Sequence, residues 1–376
     1  MSFEQINLRL SNCDWNEAVC KTVDVLLSGG VVVVPTETVY GLAVQLNSRA
    51  VNKLVELKGR NDHHPFALAF SSADAIEYVC TDMSPLAQRL ARRCLPGPVS
   101  LVLNLPPESP LWRLPPTILR TVTQQTTAQQ TTVCCRVPNH PLLLPVLGEL
   151  NEPIILTSAN KSGYGESTSV EQIIADLGDG IDILVNEGPL SSAKPSTIVK
   201  VDNNDYVILR EGALKSETIR RLAALMFLFV GTGNTCRSPM AEYLCEQILA
   251  ERFYCTADAL DHRGIVVMSA GVSATEGQPA TAKTVEVLSE YGIESDNHRS
   301  LLLNETHVRF ADYIFTMTRK HRERILSKWH NVDSRLCVLR KNGGDIPEPK
   351  GETLDTYRTC AEQIRTEIIQ RIEEVF

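Results

Sequence analysis

Residues 226–242 read Met226-Phe227-Leu228-Phe229-Val230-Gly231-Thr232-Gly233-Asn234-Thr235-Cys236-Arg237-Ser238-Pro239-Met240-Ala241-Glu242. The apolar run Met226 to Val230 has the length of a buried strand. It enters a loop of glycines and short polar residues. A helical pattern follows from Met240 to Ala250, with Ser238 expected as N-cap and Pro239 at the first helical position. Strand, glycine loop and helix N-terminus together suit an oxyanion. The amides converge, the helix dipole is positive there, and Arg237 adds a forked donor. The stretch also divides the chain: residues 1–225 read as one domain and 226–376 as a second.

A chain of 376 residues is long for one core, in keeping with two domains. At 43% hydrophobic and 22% charged, its composition is that of an ordinary soluble protein. The net charge of −8, without a long Lys/Arg run, argues against a nucleic-acid coat protein and leaves room for a local basic cleft with weak RNA contact. Apolar runs such as Leu222 to Val230 are too short to cross a bilayer, and Met1 to Cys13 lacks the pattern of a signal peptide. A cytoplasmic protein with no membrane partner is expected. The 11 cysteines include no C-x-x-C pair and show no zinc-ligand spacing with the 8 histidines, so reduced thiols and no protein-bound metal are expected.

Upstream, Asp14-x-x-Glu17 reads as a capping box, and the helix it opens ends at Gly29-Gly30. Val31 to Val34 is a β-branched run expected as a strand buried on both faces. Helices are expected over about 50–58 and 84–93, and strands over 100–103, 133–137 and 153–156. Pro106 to Thr132 is rich in proline, then in glutamine and threonine, and is expected as a long loop, either a surface insertion or a lid. Downstream, strands and helices alternate to a final helix at about 356–375, which argues a small doubly wound parallel sheet.

Polar residues gather at the upstream strand and helix ends. The cations are Lys58, Arg60, Arg136 and Arg210; the hydroxyls and amide are Thr38, Thr132, Ser158, Asn160 and Ser196. Each has an ordinary reading alone: Lys58 and Arg60 close a helix, and Ser158 and Ser196 suit turns or caps. The residues by themselves support a candidate anion pocket and no more. Their order along the chain carries further. Pro35-Thr36-Glu37-Thr38-Val39-Tyr40-Gly41, Lys58-Gly59-Arg60, Pro96-Gly97-Pro98, Arg136-Val137-Pro138, Ser158-Ala159-Asn160, Ser196-Thr197 and Leu209-Arg210-x-Gly212 follow one another. This series closely resembles the threonylcarbamoyl-AMP synthase family, the YrdC-like domain, over about residues 5–223.

The resemblance implies a mixed, twisted α/β sheet around a positive cavity. It implies condensation of L-threonine with bicarbonate or CO2 and then with ATP, releasing pyrophosphate. Lys58, Arg60, His64, Thr132, Ser158, Asn160 and Arg210 would hold ATP, with Lys58 and Arg60 as the catalytic cations; Thr38, Arg136 and Ser196 would hold threonine. Mg2+ is the expected helper. The product, threonylcarbamoyl-AMP, would pass to a transferase complex that modifies a tRNA adenosine. Such a reaction asks the protein mainly for positioning and charge neutralisation, which these residue types supply. Asn61, Ala69 and Leu95 stand where many relatives have Pro, His and an aromatic residue.

From 226 onward the chain resembles the low-molecular-weight protein phosphatases, including the arginine phosphatases within them. Gly233 to Glu242, Ser269-Ala270-Gly271, Ala311-Asp312 and Met317-Thr318 with His321 carry the likeness, and Thr235 is the residue type associated with phosphoarginine. That family attacks phosphorus with a cysteine six residues before the loop arginine and protonates the leaving group with an Asp-Pro aspartate. Here the first position is Gly231 and the second is Glu348. Loss of a nucleophile typically costs about 10⁴–10⁶ in kcat. The loop residues Gly231, Gly233, Asn234, Thr235, Cys236, Arg237 and Ser238, with Glu348, leave three readings open: a domain kept for packing, an anion-binding regulatory module, or an arginine or tyrosine phosphatase with another nucleophile. A YrdC-like domain that grips RNA without catalysis is a further rival, against which the threonine-site hydroxyls argue.

Overall fold

The computed structural model describes residues 3–11, 13–59, 65–127, 130–165, 167, 169–190, 194–349 and 353–376. Arg60, Asn61 and His64 lie outside the described residues. The chain forms two compact units, Met1–Leu222 and Ala223–Phe376.

The first unit holds strands β1 (Glu4–Asn7), β2 (Val32–Val34), β3 (Gly41–Val44), β4 (Leu68–Ala69), β5 (Val99–Asn104), β6 (Thr123–Thr127), β7 (Gln130–Arg136), β8 (Ile154–Ser158), β9 (Ile183–Asn186), β10 (Thr197–Asp202) and β11 (Asp205–Arg210). They form one mixed sheet in the order β1-β9-β2-β3-β8-β4-β7-β5-β10-β11, with β6 beside β7. Helices α1 (Trp15–Leu27), α2 (Ser48–Lys58), α3 (Ala73–Val79), α4 (Pro85–Cys94), α5 (Pro116–Val122), α6 (Leu143–Leu150), α7 (Val170–Leu177) and α8 (Ser216–Ala223) accompany it. The valine run is fully buried in the sheet, as its composition demands. Asp14 caps α1 through its carboxylate, whereas Glu17 pairs forward with Lys21 at 3.0 Å.

Pro106 to Thr132 differs from the expected loop. Pro110 and Pro116 open helical turns, where a missing N–H costs nothing, and the glutamine–threonine segment is an antiparallel hairpin. Thr123 pairs with Val133 and Gln125 with Thr131, and the register shifts before Thr127. Low complexity concealed the β-branched threonines, which favour a pleated strand once a partner as buried as Val133 is beside them.

The second unit contains β12 (Leu225–Gly231), β13 (Ile265–Gly271), β14 (Tyr313–Thr316) and β15 (Leu336–Val338), with helices α9 (Arg237–Arg252), α10 (Ala282–Glu290), α11 (Glu305–Phe310), α12 (Arg319–Leu326) and α13 (Leu354–Val375). The sheet is parallel, in the order β13-β12-β14-β15. Side chains alternate across β12. Phe227 and Phe229 pack with Leu244 of α9, Leu288 of α10 and Ile368 of α13; Leu228 and Val230 pack with Val308 of α11 and Ile325 of α12. Helices therefore cover both faces, which is the doubly wound arrangement.

The start of α9 corrects the expected cap. Arg237 is the first helical residue, Cys236 stands at the cap without a side-chain capping bond, and Ser238 and Pro239 lie inside the first turn. The Ser238 hydroxyl accepts from Asn234 Nδ2 at 3.2 Å instead of capping the helix. Asn234 takes a left-handed turn with φ 56°, and the helix begins two residues earlier than the Ser-Pro pair suggested.

Candidate functional site

In the first unit a cavity of about 150 Å³ lies against the ends of several sheet strands. Arg136, Ser158, Ser196 and Arg210 line it, together with Ser100, Cys134 and the apolar Val39, Phe66, Leu156 and Ile198. Pairing brings distant segments together: Ile198 faces Ser100 across β10 and β5, Leu101 faces Cys135 across β5 and β7, and Ala69 faces Arg136 across β4 and β7. On β7, Thr132, Cys134 and Arg136 point to one face by alternation. Four of the residues expected from sequence thus share one wall.

Lys58 ends α2 and is buried. Its ammonium donates to Ser158 O at 2.9 Å, Asn160 O at 2.6 Å and Asn160 Oδ1 at 3.3 Å. Ser158 Oγ donates to Asn160 Oδ1 at 2.5 Å, and Asn160 Nδ2 to Tyr164 O at 2.6 Å. The Lys58 and Ser158–Asn160 motifs are therefore one hydrogen-bonded cluster at the end of β8.

The other end of the cavity is built on Ser196. Its carbonyl accepts from Arg210 Nη2 at 2.9 Å and Nε at 3.2 Å, and its hydroxyl meets Ser100 Oγ at 2.9 Å. Gly212 is required beside it, since a Cβ there would stand 2.2 Å from Pro195 O. Thr38 is fully buried, and its hydroxyl contacts Thr36 Oγ1 at 2.9 Å. Thr132 bonds the Gln124 carbonyl at 3.3 Å and does not line the cavity wall. Burial pushes the Cys134 thiol up to about 11, with Arg136 and Arg210 opposing, so it stands in the wall as a neutral group.

Three contributors escaped the sequence reading: Glu37, Ser100 and Cys134. Glu37 sits between the two threonines of Thr36-Glu37-Thr38 and forms an ion pair with Arg136 at 2.7 Å. An acid inside a motif that is otherwise threonine and apolar was the available signal. Ser100 and Cys134 lie inside strands of ordinary composition and carried none.

In the second unit the loop after β12 has its carbonyls fastened from outside. Gly231 O accepts from Val272 N, Thr232 O from Ser273 N, Thr235 O from Thr281 N, and Asn234 O meets His298 Nε2. Among the described residues the amides of Gly233, Asn234, Thr235 and Cys236 donate to no protein group, so they form a nest for an anion. Arg237 is buried, donating to Ile346 O at 2.8 Å and lying 3.3 Å from Glu348 Oε2. Thr232 Oγ1 meets His321 Nε2 at 2.9 Å, and burial, then the Arg237 cation, lowers His321 to about 4. The Cys236 thiol is buried against Thr284 and Tyr357, and that burial raises it, the reverse of what a nucleophilic thiolate needs.

Comparison with known proteins places both halves. The family model described as "Telomere recombination" (Sua5/YciO/YrdC) matches residues 24–212, and the one described as low molecular weight phosphotyrosine protein phosphatase matches 226–375. The chain belongs to the Sua5/YciO/YrdC family and carries a low-molecular-weight phosphatase domain after it. Its first part is 29% identical over 224 residues to a threonylcarbamoyl-AMP synthase of Bacillus subtilis, covering 59% of this chain and 61% of that protein. Its second part is 35% identical over 151 residues to a protein-arginine-phosphatase of Geobacillus stearothermophilus, covering 39% of this chain and 93% of that protein. The structure of Pyrococcus abyssi Sua5 complexed with L-threonine shares the fold, with a TM-score of 0.50 and 19% identity over 72% of this chain and 92% of that one. The chain thus spans about three fifths of the Bacillus relative's length. Among the described residues no helix is long and apolar enough to cross a membrane.

Proposed function

We propose that the first domain is an L-threonylcarbamoyladenylate synthase. The observation that carries this reading is the meeting of Arg136, Ser158, Ser196 and Arg210 on one cavity, with Lys58 and Asn160 hydrogen-bonded beside it. In this reading the neutral threonine amine adds to CO2 and releases a proton to water, or condenses with bicarbonate with loss of water, to give a carbamate. A carbamate oxygen attacks the α-phosphorus of ATP, the bond to the bridging oxygen breaks, and pyrophosphate leaves. Arg136 receives the threonine carboxylate as a forked donor, with Thr38 and Ser196 as hydroxyl partners. Arg210 and Lys58 provide positive charge for the phosphates, next to Ser158 and Asn160; by family likeness Arg60, His64 and Thr132 join them. Among the described residues the cavity wall offers hydroxyls, a thiol and cations and no carboxylate, so Mg2+ would fit as part of MgATP, held by phosphate oxygens. Bound there it neutralises phosphate charge. The mixed anhydride then passes to an enzyme that transfers its acyl group to a tRNA adenosine, in keeping with a cytoplasmic place.

The test is pyrophosphate release with ATP, bicarbonate and threonine. Release that depends on threonine is expected; a well-folded protein that shows none would remove this reading.

For the second domain we infer an anion cradle that lacks its family's nucleophile, because Gly231 has no side chain to attack phosphorus and the Cys236 thiol is raised by burial. The rival is an arginine or tyrosine phosphatase. Turnover of p-nitrophenyl phosphate by the protein, abolished by Arg237→Ala, would decide for that rival.

A further inference from the structure

Arg136 ends β7 with 7% of its surface exposed and forms part of the cavity wall. A guanidinium so buried must be compensated. Nη2 donates to Glu37 Oε1 at 2.7 Å, and the second oxygen of Glu37 accepts the Asn139 amide at 3.2 Å. Glu37 is itself largely buried and is not part of the cavity wall. The segment that carries it is fixed on both sides: Thr36 Oγ1 donates to Val39 O at 2.6 Å and accepts the Thr38 amide at 3.1 Å. Arg136 Nε is buried too and, among the described residues, has no hydrogen-bond partner. A guanidinium has five N–H donors in a rigid plane, so seizing one nitrogen orients the rest.

We propose that Glu37 is a positioning residue: it clamps Nη2 of Arg136 from behind and so fixes the guanidinium at the cavity wall, where the carboxylate of the amino-acid substrate would meet it. The inference rests on the reading of Arg136 as the carboxylate-binding group. A carboxylate suits the task better than an amide. It accepts from Arg136 and from the Asn139 N–H at once, whereas a glutamine has one acceptor oxygen and can keep only one of the two.

The full-length protein, Glu37→Ala and Glu37→Gln are compared for melting temperature, for threonine and ATP KM in the pyrophosphate assay, and for threonine binding by calorimetry without ATP. Misplacement of a binding group by about 1 Å can cost on the order of 100-fold, so Glu37→Ala is expected to raise the threonine KM about 10- to 100-fold while the ATP KM and the kcat at saturating threonine stay within about 2-fold. Glu37→Gln is expected to raise the threonine KM by a smaller factor, about 3-fold or more. Calorimetric affinity should weaken in the same order. If Glu37→Ala does not fold, Glu37→Gln decides. A folded variant with unchanged threonine affinity overturns the proposal. So does a parallel rise in both KM values, which would make Glu37 a structural counter-ion only. A wild-type protein that neither binds threonine nor releases pyrophosphate removes this inference together with the synthase reading; an active wild type with indifferent Glu37 variants removes this inference alone.

Discussion

A Cβ built at Gly231 would stand 2.8 Å from Ser238 Oγ and 3.9 Å from Met317 Cγ. The close contact is the end of a short side chain held by Asn234 Nδ2 at 3.2 Å, so a cysteine requires the Ser238 hydroxyl to shift from that bond. Arg237 and the unpaired amides belong to the same loop, and in the reading proposed above what the loop lacks is the attacking atom. Gly231→Cys is therefore expected to give p-nitrophenyl phosphate turnover above the parent protein. Glu348 reaches one methylene further than the family aspartate, and a 1 Å misplacement can hold the gain roughly 100-fold below a family enzyme. Turnover should vanish again in Gly231→Cys with Arg237→Ala; a folded Gly231→Cys protein with no turnover would show that the loop has lost more than its nucleophile. Lys58 poses the opposite case, a side chain present and fully engaged. Its three donors meet three oxygens of Ser158 and Asn160, so Lys58→Ala removes a charge and also unlocks two cavity-side groups. A fall in kcat/KM of about 100-fold or more is expected, as for the loss of one preorganised electrostatic group, and pyrophosphate release at the wild-type rate would mean the site lies elsewhere. The Lys58 cluster was legible because its members sit in short motifs. Glu37 had only its place inside a threonine motif as a signal, and that does not say which arginine the acid would pair with.

At the scale of elements, α9 carries a conflict that its start does not reveal. Glu242 and Glu246 stand one helical turn apart on a helix packed against the core. Burial pushes Glu242 up to about 7, and burial followed by the charges of Glu242 and Asp258 pushes Glu246 up to about 8. Their folded-state values lie above the unfolded ones, so the protonated forms suit the fold. The stability they contribute is full below the ordinary carboxylate range and is lost as pH rises through about 7 and 8. Glu246→Gln should melt like the wild type at low pH and roughly 2–4 °C higher for each kcal/mol relieved at high pH. Parallel melting curves for the two proteins across that range would contradict the assignment. Element types were widely readable from periodicity: the valine strand, α1 with its Asp14 cap and the long α13 appear as their patterns require. Of the hairpin of β6 and β7 only the part from Val133 was legible as a strand; β6 was not, because its signal is β-branching diluted by glutamine and, among the described residues, its partner is β7 alone. The start of α9 failed for a related reason. Ser238-Pro239 is a sound local helix opening, but Asn234 takes up the Ser238 hydroxyl and the chain turns earlier.

Over the whole molecule the net charge is −8, although the cavity of the first domain is walled by Arg136 and Arg210. A negative chain repels polynucleotides at long range and concentrates its positive potential inside a small pocket, which favours a nucleotide-sized anion over a helix of RNA. Polynucleotide binding that neutralises several phosphates shows a steep salt dependence, about one unit of slope per phosphate. The protein is expected to bind tRNA weakly and with a shallow slope. Threonine-dependent pyrophosphate release is expected to proceed without RNA and to be unchanged when tRNA is added. The measurement is the release rate with and without tRNA at two salt concentrations, paired with tRNA affinity at the same two. A release that requires tRNA would move the RNA from consumer of the product to participant in its synthesis. Tight, steeply salt-dependent RNA binding without ATP binding would instead make the first domain an RNA-gripping module, and the hydroxyls of Thr38, Ser196 and Ser158 would then have no role in it.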